Sequence, residues 1–214
     1  MKVSKEIPLN KNRLEQLSDG VFAIVFTLLI LEIKVPERMD LTNQQMIVEL
    51  LNRTPLFVSY ILSFAVIGMF WLSHNFMFEM SAKNADRKII LMNTIYLSLV
   101  SLIPFSSHFL GQHSNSAIAS AFYGINILLI SISFLAMYQY IWRTPHILHA
   151  DITPGLKKNG EIRQYLLICF YIIGILFSFL SVPIAMFCYL FPVFFNIIPG
   201  LLTRTESAFG FELE

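Results

Sequence analysis

Long stretches without a charged side chain are the feature that most constrains the fold of this chain. No Asp, Glu, Lys or Arg occurs at 54–78, 89–142 or 164–203. A charged side chain at the centre of a bilayer costs about 2.5–3.5 kcal/mol on the insertion scale, and a spanning helix needs about 20 residues. The first stretch therefore fits one membrane-spanning helix, and each of the other two fits two.

Turn-forming residues divide the two longer stretches. The sequence GQHSNS at 111–116 is typical of a loop, and Pro183 disfavours helix in the residue before it. Together with an apolar segment that begins at Val21, the pattern predicts one domain, an all-α membrane protein whose subunit is a bundle of six transmembrane helices. The predicted spans are about 19–35, 54–79, 88–110, 117–142, 163–181 and 183–200. We interpret 144–160, which contains prolines and glycines, as a loop.

The first segment has only 12 uncharged residues, between Asp19 and Glu32. A helix of that length spans about 18 Å, which is less than the hydrocarbon thickness of about 30 Å. We therefore expect this helix to be surrounded by protein or to line a water-filled path.

Composition agrees with a membrane protein, since the chain is 56% hydrophobic and 14% charged. Soluble domains are about 45–50% apolar and about 25% charged. The net charge of +1 provides no basic field for nucleic acid. Two cysteines, Cys169 and Cys188, are too few for a disulfide framework or a metal cluster. The sequence does not decide whether they form one disulfide or remain two free thiols.

The distribution of basic residues predicts the orientation of the chain. Twelve of the 15 Lys and Arg residues fall in segments that the six spans place on one side. These residues are Lys2, Lys5, Lys11, Arg13, Lys83, Arg87, Lys88, Arg143, Lys157, Lys158, Arg163 and Arg204. By the positive-inside rule, we expect a multi-pass protein of the cell membrane with both termini in the cytoplasm.

Helical spacing places Ile24, Leu28 and Leu31 on one face of the first helix, with Thr27 beside them. The sequence leaves open whether this face packs against other helices or lines a path. Ser18 and Asp19 are good N-cap residues, but capping explains neither Arg13 before them nor Glu32 at the other end.

Acidic residues cluster around Glu32, together with Glu37, Asp40 and Glu49. They would concentrate cations at an external mouth or simply form a solvated acidic loop.

The sequence RLEQLSDGVFAIVFTLLILE at 13–32 resembles the signature of the bacterial branch of the transmembrane protein 175 family, potassium-selective channels of the endosomal and lysosomal type. WLSH at 71–74, LMN at 91–93 and IPF at 103–105 are similar to the family's next segments. One departure is Leu17, where the family usually has Phe.

The resemblance implies a homotetramer in which the first helix of each subunit lines a central pore for potassium ions. Ile24 would form the narrowest hydrophobic ring, Leu28 and Leu31 would extend the apolar wall, and Glu32 would lie at the external mouth. A hydrogen-bond network would include Arg13, Ser18, Asp19, Trp71, His74 and Asn93. Thr27 carries the only hydroxyl between Gly20 and Glu32, so we expect it to support selectivity.

Other functional classes fit the sequence less well. It contains no Thr-Val-Gly-Tyr-Gly filter, no arginine-rich voltage sensor, no nucleotide-binding glycine motif and no catalytic constellation, so we expect neither an enzyme nor a cofactor. His108 and His113 lack a third ligand at a fixed spacing, so no metal site is predicted.

A secondary transporter of a small cation or solute is the alternative, although the paired, interrupted helices of such transporters are missing. A membrane scaffold without transport is a third class.

Overall fold

The computed structural model describes residues 11–34, 42–148 and 154–197 of the chain. Apart from isolated β-bridge positions at Ala82, Ala85 and Leu148, the regular structure in these ranges is helical. The helices are α1 (Lys11–Leu31), α2 (Asn43–Asn52), α3 (Thr54–Ser81), α4 (Arg87–Val100), α5 (Ile103–Gln112), α6 (Ala117–Arg143), α7 (Pro154–Ser178) and α8 (Val182–Ile197).

Five helical segments of the described chain are long and apolar enough to cross a membrane. They are Lys11–Leu31, Thr54–Met80, Arg87–Gln112, Ala117–Arg143 and Lys157–Ser178. The chain is therefore a helical, multi-pass membrane protein. Helix α8, with 16 residues, is shorter than the other candidate spans, so a sixth span remains a prediction.

Helix α1 is longer than the charge pattern predicts. It begins at Lys11, eight residues before the predicted start at 19, and its 21 residues extend over about 31 Å. It ends at Leu31, before the predicted end at about 35, and the uncharged stretch from which we expected a short span is only part of it. The charge pattern marks only the uncharged part of the helix, whereas the helix continues through the polar residues that precede Asp19.

The predicted span 88–110 is interrupted in the structure. Helix α4 ends at Val100 and α5 begins at Ile103, with Pro104 in the first turn of α5. Proline has no backbone N–H and clashes with the preceding turn of a helix, so a continuous helix is disfavoured at this point.

Two further helical segments depart from the sequence interpretation. Helix α2 lies in a region where no helix was predicted. Helix α7 begins at Pro154, inside the segment 144–160 that we interpreted as a loop. Proline is tolerated in the first turn of a helix because the N–H there has no intrahelical partner.

Helix α6 is the most buried of the five candidate spans and packs against α4, α5, α7 and α8. Polar side chains join these helices inside the bundle, as is common in membrane proteins. Ser120 Oγ lies 2.8 Å from Ser178 Oγ, and the Tyr189 hydroxyl donates to the Ser120 carbonyl at 3.1 Å. The ring of Tyr189 lies directly against Gly124 and Gly174, where a Cβ atom would overlap it.

The connection between α3 and α4 is tied to the segment that follows α6. Ala82 forms the β-bridge with Leu148, and Lys83 N donates to the Ile147 carbonyl at 2.6 Å. Asp86 caps α4 by accepting from Ile89 N at 2.8 Å, and it also accepts from the Tyr140 hydroxyl at 2.6 Å. These contacts fix one end of the bundle.

The structure does not test the predicted orientation of the chain. Three of the twelve basic residues on the predicted cytoplasmic side lie outside the described residues, as do Arg38 on the other side and two of the acidic residues near the predicted external mouth. They are Lys2, Lys5, Arg38, Arg204, Glu37 and Asp40.

Candidate pore-lining helix

Helix α1 has one buried and one exposed face. Leu14, Ser18, Phe22, Val25 and Leu29 are buried against the rest of the subunit. These positions follow a spacing of three or four residues, which places them on a single side of the helix. The position of α1 against the subunit is therefore fixed by this face.

The exposed side of the helix carries the three predicted constriction residues. Ile24 is 59% exposed, Leu28 41% and Leu31 67%. Leu17 extends the same stripe toward the start of the helix. The described residues leave each of these four side chains 41–67% exposed, so this part of the chain does not cover the stripe.

Thr27 is exposed as well. Helical spacing predicted its place beside Ile24, Leu28 and Leu31, but not its exposure. Its Oγ1 is 2.8 Å from the Ile24 carbonyl oxygen and 3.2 Å from that of Ala23. The hydroxyl proton is thus used within the helix, which is common for Thr in membrane helices. A hydroxyl oxygen retains two lone pairs, so Thr27 can still accept a hydrogen bond or approach a cation.

A directed chain of buried hydrogen bonds joins α1 to α3 and α4. Ser18 Oγ donates to the Leu14 carbonyl at 2.9 Å and accepts from Asn93 Nδ2 at 3.0 Å. Asn93 Oδ1 lies 2.8 Å from His74 Nε2. An amide oxygen can only accept a hydrogen bond, so the proton of this bond is on His74 Nε2. All three side chains are buried. The family resemblance implied this group, and the structure brings Ser18, His74 and Asn93 together.

Asp19 and Trp71 form a second link between α1 and α3. Trp71 Nε1 donates to Asp19 Oδ1 at 3.0 Å. Arg13, which was assigned to the same network, is exposed and makes no hydrogen bond or ion pair with the described residues. The subunit alone therefore does not bring Arg13 into the network.

Lys11 provides a contact that sequence reasoning missed. Its Nζ donates to the Phe78 carbonyl at 2.9 Å and lies 3.3 Å from Glu15 Oε1. The spacing of four residues between Lys11 and Glu15 is a sequence signal for such a pair. The contact with Phe78 is long-range and had no signal in the sequence.

At the other end of α1, Glu32 contacts α5. Glu32 Oε2 lies 3.2 Å from His108 Nδ1, a pair that was not predicted. In the part of the chain that the structure describes, no three His, Cys, Asp or Glu side chains come together as a group that could hold a metal ion. Glu32 and His108 therefore form a two-residue contact that ties the end of α1 to α5.

Comparison with known proteins identifies the family. The family model described as endosomal/lysosomal potassium channel TMEM175 matches residues 13–104, from α1 into the start of α5. A protein named potassium channel from Chryseobacterium sp. (strain P1-3) is 31% identical over 193 residues, which is 89% of this chain and 94% of that protein. The human endosomal/lysosomal proton channel TMEM175 is 38% identical over 105 residues, 46% of this chain and 21% of the human protein.

A solved structure shares the fold. The crystal structure of a lysosomal potassium-selective channel TMEM175 homolog from Chamaesiphon minutus matches with a TM-score of 0.76 and 26% sequence identity. The match covers 87% of this chain and 95% of the other. The sequence signature, the helical architecture and these similarities agree, and this chain therefore belongs to the TMEM175 family of channels.

Proposed function

We propose that this protein is a potassium-selective cation channel, a homotetramer in which α1 of each subunit lines a central pore. The observation that carries the proposal is the exposed apolar face of α1, with Ile24, Leu28 and Leu31 directed away from their own subunit. One helix cannot enclose a path, whereas a closed ring of identical subunits can.

The buried side of α1 supports this assignment. Apolar contacts would suffice to pack a helix that only faced lipid against its subunit. Helix α1 is also bonded to its neighbours through Ser18 and Asn93 and through Asp19 and Trp71. Directional bonds fix the rotation of the helix about its axis. The side chains of the exposed stripe are thereby held in a fixed direction, as a narrow pore requires.

The mechanism follows from the chemistry of the stripe. A ring of Ile24 side chains forms an apolar constriction that excludes water and ions unless it widens, which is gating by dewetting. Apolar side chains offer an ion no ligand, so selection between potassium and sodium needs oxygen atoms. The Thr27 hydroxyls, whose protons are held by their own helix, supply acceptor oxygens one turn along α1.

The permeant ion is part of the proposal. The bacterial relatives from Chryseobacterium and Streptomyces collinus are named potassium channels, whereas the human relative is named a proton channel. We favour potassium because the bacterial relatives match most of this chain. The protein would be located in the cell membrane with both termini in the cytoplasm, since basic residues concentrate on one side of the predicted spans.

Reversal potentials of the reconstituted protein test this function. With potassium on one side of a planar bilayer and sodium on the other, we expect a reversal potential that corresponds to a potassium-to-sodium permeability ratio well above one, and a pH gradient should shift it little. Protein-free bilayers are the control. A reversal potential that follows the proton gradient would assign the protein to proton conduction, and a flux that saturates at low turnover would identify a secondary transporter.

A further inference from the structure

Helix α2 makes few contacts with the other residues that the structure describes, and those few are chiefly with α3. Its ten residues include no buried side chain. Five apolar side chains, which we call the α2 face, are each 48–65% exposed: Met46, Ile47, Val48, Leu50 and Leu51. Isolated helices shorter than about 12–15 residues are marginal in water. The described residues therefore leave the α2 face without the cover that a helix of this length needs.

The position of α2 is nevertheless well defined. Thr42 and Gln45 form a reciprocal capping box at its start. At its end, Arg53 donates to the Lys34 carbonyl, just beyond α1, and Arg53 Nη2 lies 3.7 Å from Glu49 Oε1. The chain then enters α3 at Thr54. These contacts hold α2 beside the end of α1 where Leu31 and Glu32 lie.

Composition distinguishes between the two possible covers, a membrane surface and a second copy of the chain. Helices that lie on membranes are rich in Lys and Arg on the polar face and carry Trp, Phe or Leu on the other. Helix α2 contains no Lys, Arg or aromatic residue, and its only charge, Glu49, faces Arg53. Apolar surfaces depleted of charge are typical of the core of protein interfaces.

We propose that the α2 face packs against the neighbouring copy of this chain, around the mouth of the pore. The proposal rests on the proposed tetramer. With α1 at the symmetry axis, a helix held at the end of α1 lies next to the adjacent subunit rather than at the lipid perimeter. The contact would link the subunits at the level of Leu31 and Glu32, beyond the apolar constriction.

Tetramer stability in detergent tests this contact. The variants Ile47→Ser and Leu51→Ser change side chains that are more than half exposed among the described residues, so the subunit fold should persist. Loss of one buried aliphatic side chain at each of four contacts should raise the tetramer dissociation constant at least about tenfold, measured by native mass spectrometry on dilution. Ile118→Ser, at an equally exposed apolar position at the start of α6, is the matched control and should leave dissociation unchanged.

A lipid-exposure measurement separates the membrane from the neighbouring copy. A bimane label at Ile47→Cys, in full-length protein with Cys169→Ser and Cys188→Ser, should not be quenched by nitroxide-labelled lipids in phosphatidylcholine vesicles. Strong quenching, or unchanged dissociation of both α2 variants, would overturn the proposed contact while leaving a tetrameric channel intact. A wild-type monomer would overturn the proposed function as well.

Discussion

Ser18 connects the pore-lining helix to its support. Because it donates to its own helix and accepts from Asn93, the hydrogen bonds run in one direction from His74 to Leu14. The resemblance to the family predicted which residues take part. It did not predict the direction of the bonds or the contact between Glu32 and His108, since both depend on the relative positions of helices distant in sequence.

Removing the Ser18 hydroxyl should destabilise the protein. In Ser18→Ala, the buried Nδ2 of Asn93 loses its acceptor, and an unsatisfied buried donor costs about 1–3 kcal/mol. We expect a lower thermal unfolding temperature in detergent, measured by differential scanning fluorimetry. Ser98→Ala is the control, because Ser98 is exposed and bonds only the Ile95 carbonyl of its own helix. Equal unfolding temperatures for the two variants would show that the Ser18 bond contributes nothing to stability.

The Thr27 hydroxyl should support ion selectivity. Thr27→Val keeps the shape of the side chain and removes the oxygen that its exposed face presents. Under bi-ionic conditions, we expect the ratio of potassium to sodium permeability to fall toward one while current persists. Thr27→Ser, which retains the hydroxyl, is the control. If Thr27→Val keeps the wild-type ratio, the hydroxyl only bonds its own helix and selectivity arises elsewhere.

At the scale of elements, the charge pattern of the sequence is informative about the middles of helices and less so about their ends. The uncharged stretches coincide with α3, with α4 and α5 together, and with α6. The start of α1 and the first turns of α7 were missed because polar residues continue both helices beyond the apolar region. Helix α2 was missed because a ten-residue helix with Asn, Gln and Glu leaves no long uncharged gap.

The connection between α3 and α4 should lose stability in acid. Asp86 is buried, which raises the pKa of its carboxyl, but hydrogen bonds from Tyr140, Ile89 N and His146 outweigh burial and leave the pKa below the ordinary value of 3.8. A depressed pKa in the folded state means that the ionised form stabilises folding. This contribution is present above pH 3.8 and is lost as the pH falls through the lower folded value.

Hydrogen exchange at the first turn of α4 measures this effect. In the wild type, exchange at Ile89 N should accelerate as the pH falls through the depressed pKa of Asp86, after correction for the intrinsic rate. Asp86→Asn should abolish the acid dependence. Asp86→Ala should in addition raise exchange above pH 4, since loss of an N-cap costs about 1 kcal/mol. An acid dependence that persists in Asp86→Asn would assign it to another group.

At the scale of the whole molecule, the subunit leaves two apolar helix faces exposed that an assembly of subunits could cover. The core of the subunit is accounted for by its own packing around α6, whereas the exposed faces of α1 and α2 have no cover in the described chain. The periodicity of α1 predicted that Ile24, Leu28 and Leu31 share one face but left open whether that face is packed or exposed. The sequence could not predict what lies against that face, because an apolar stripe meets lipid, a neighbouring helix or a pore with the same residues.

Block of the current by modification of α1 tests most directly whether this helix lines the pore. The test uses a background with Cys169→Ser and Cys188→Ser. A positively charged methanethiosulfonate reagent should abolish most of the potassium current through Leu28→Cys, because the attached group places a fixed positive charge in the path. Leu72→Cys, at a similarly exposed position on α3, is the control and should keep its current when mass spectrometry shows equal labelling. A labelled Leu28→Cys channel with undiminished potassium current would contradict the assignment of α1 to the pore.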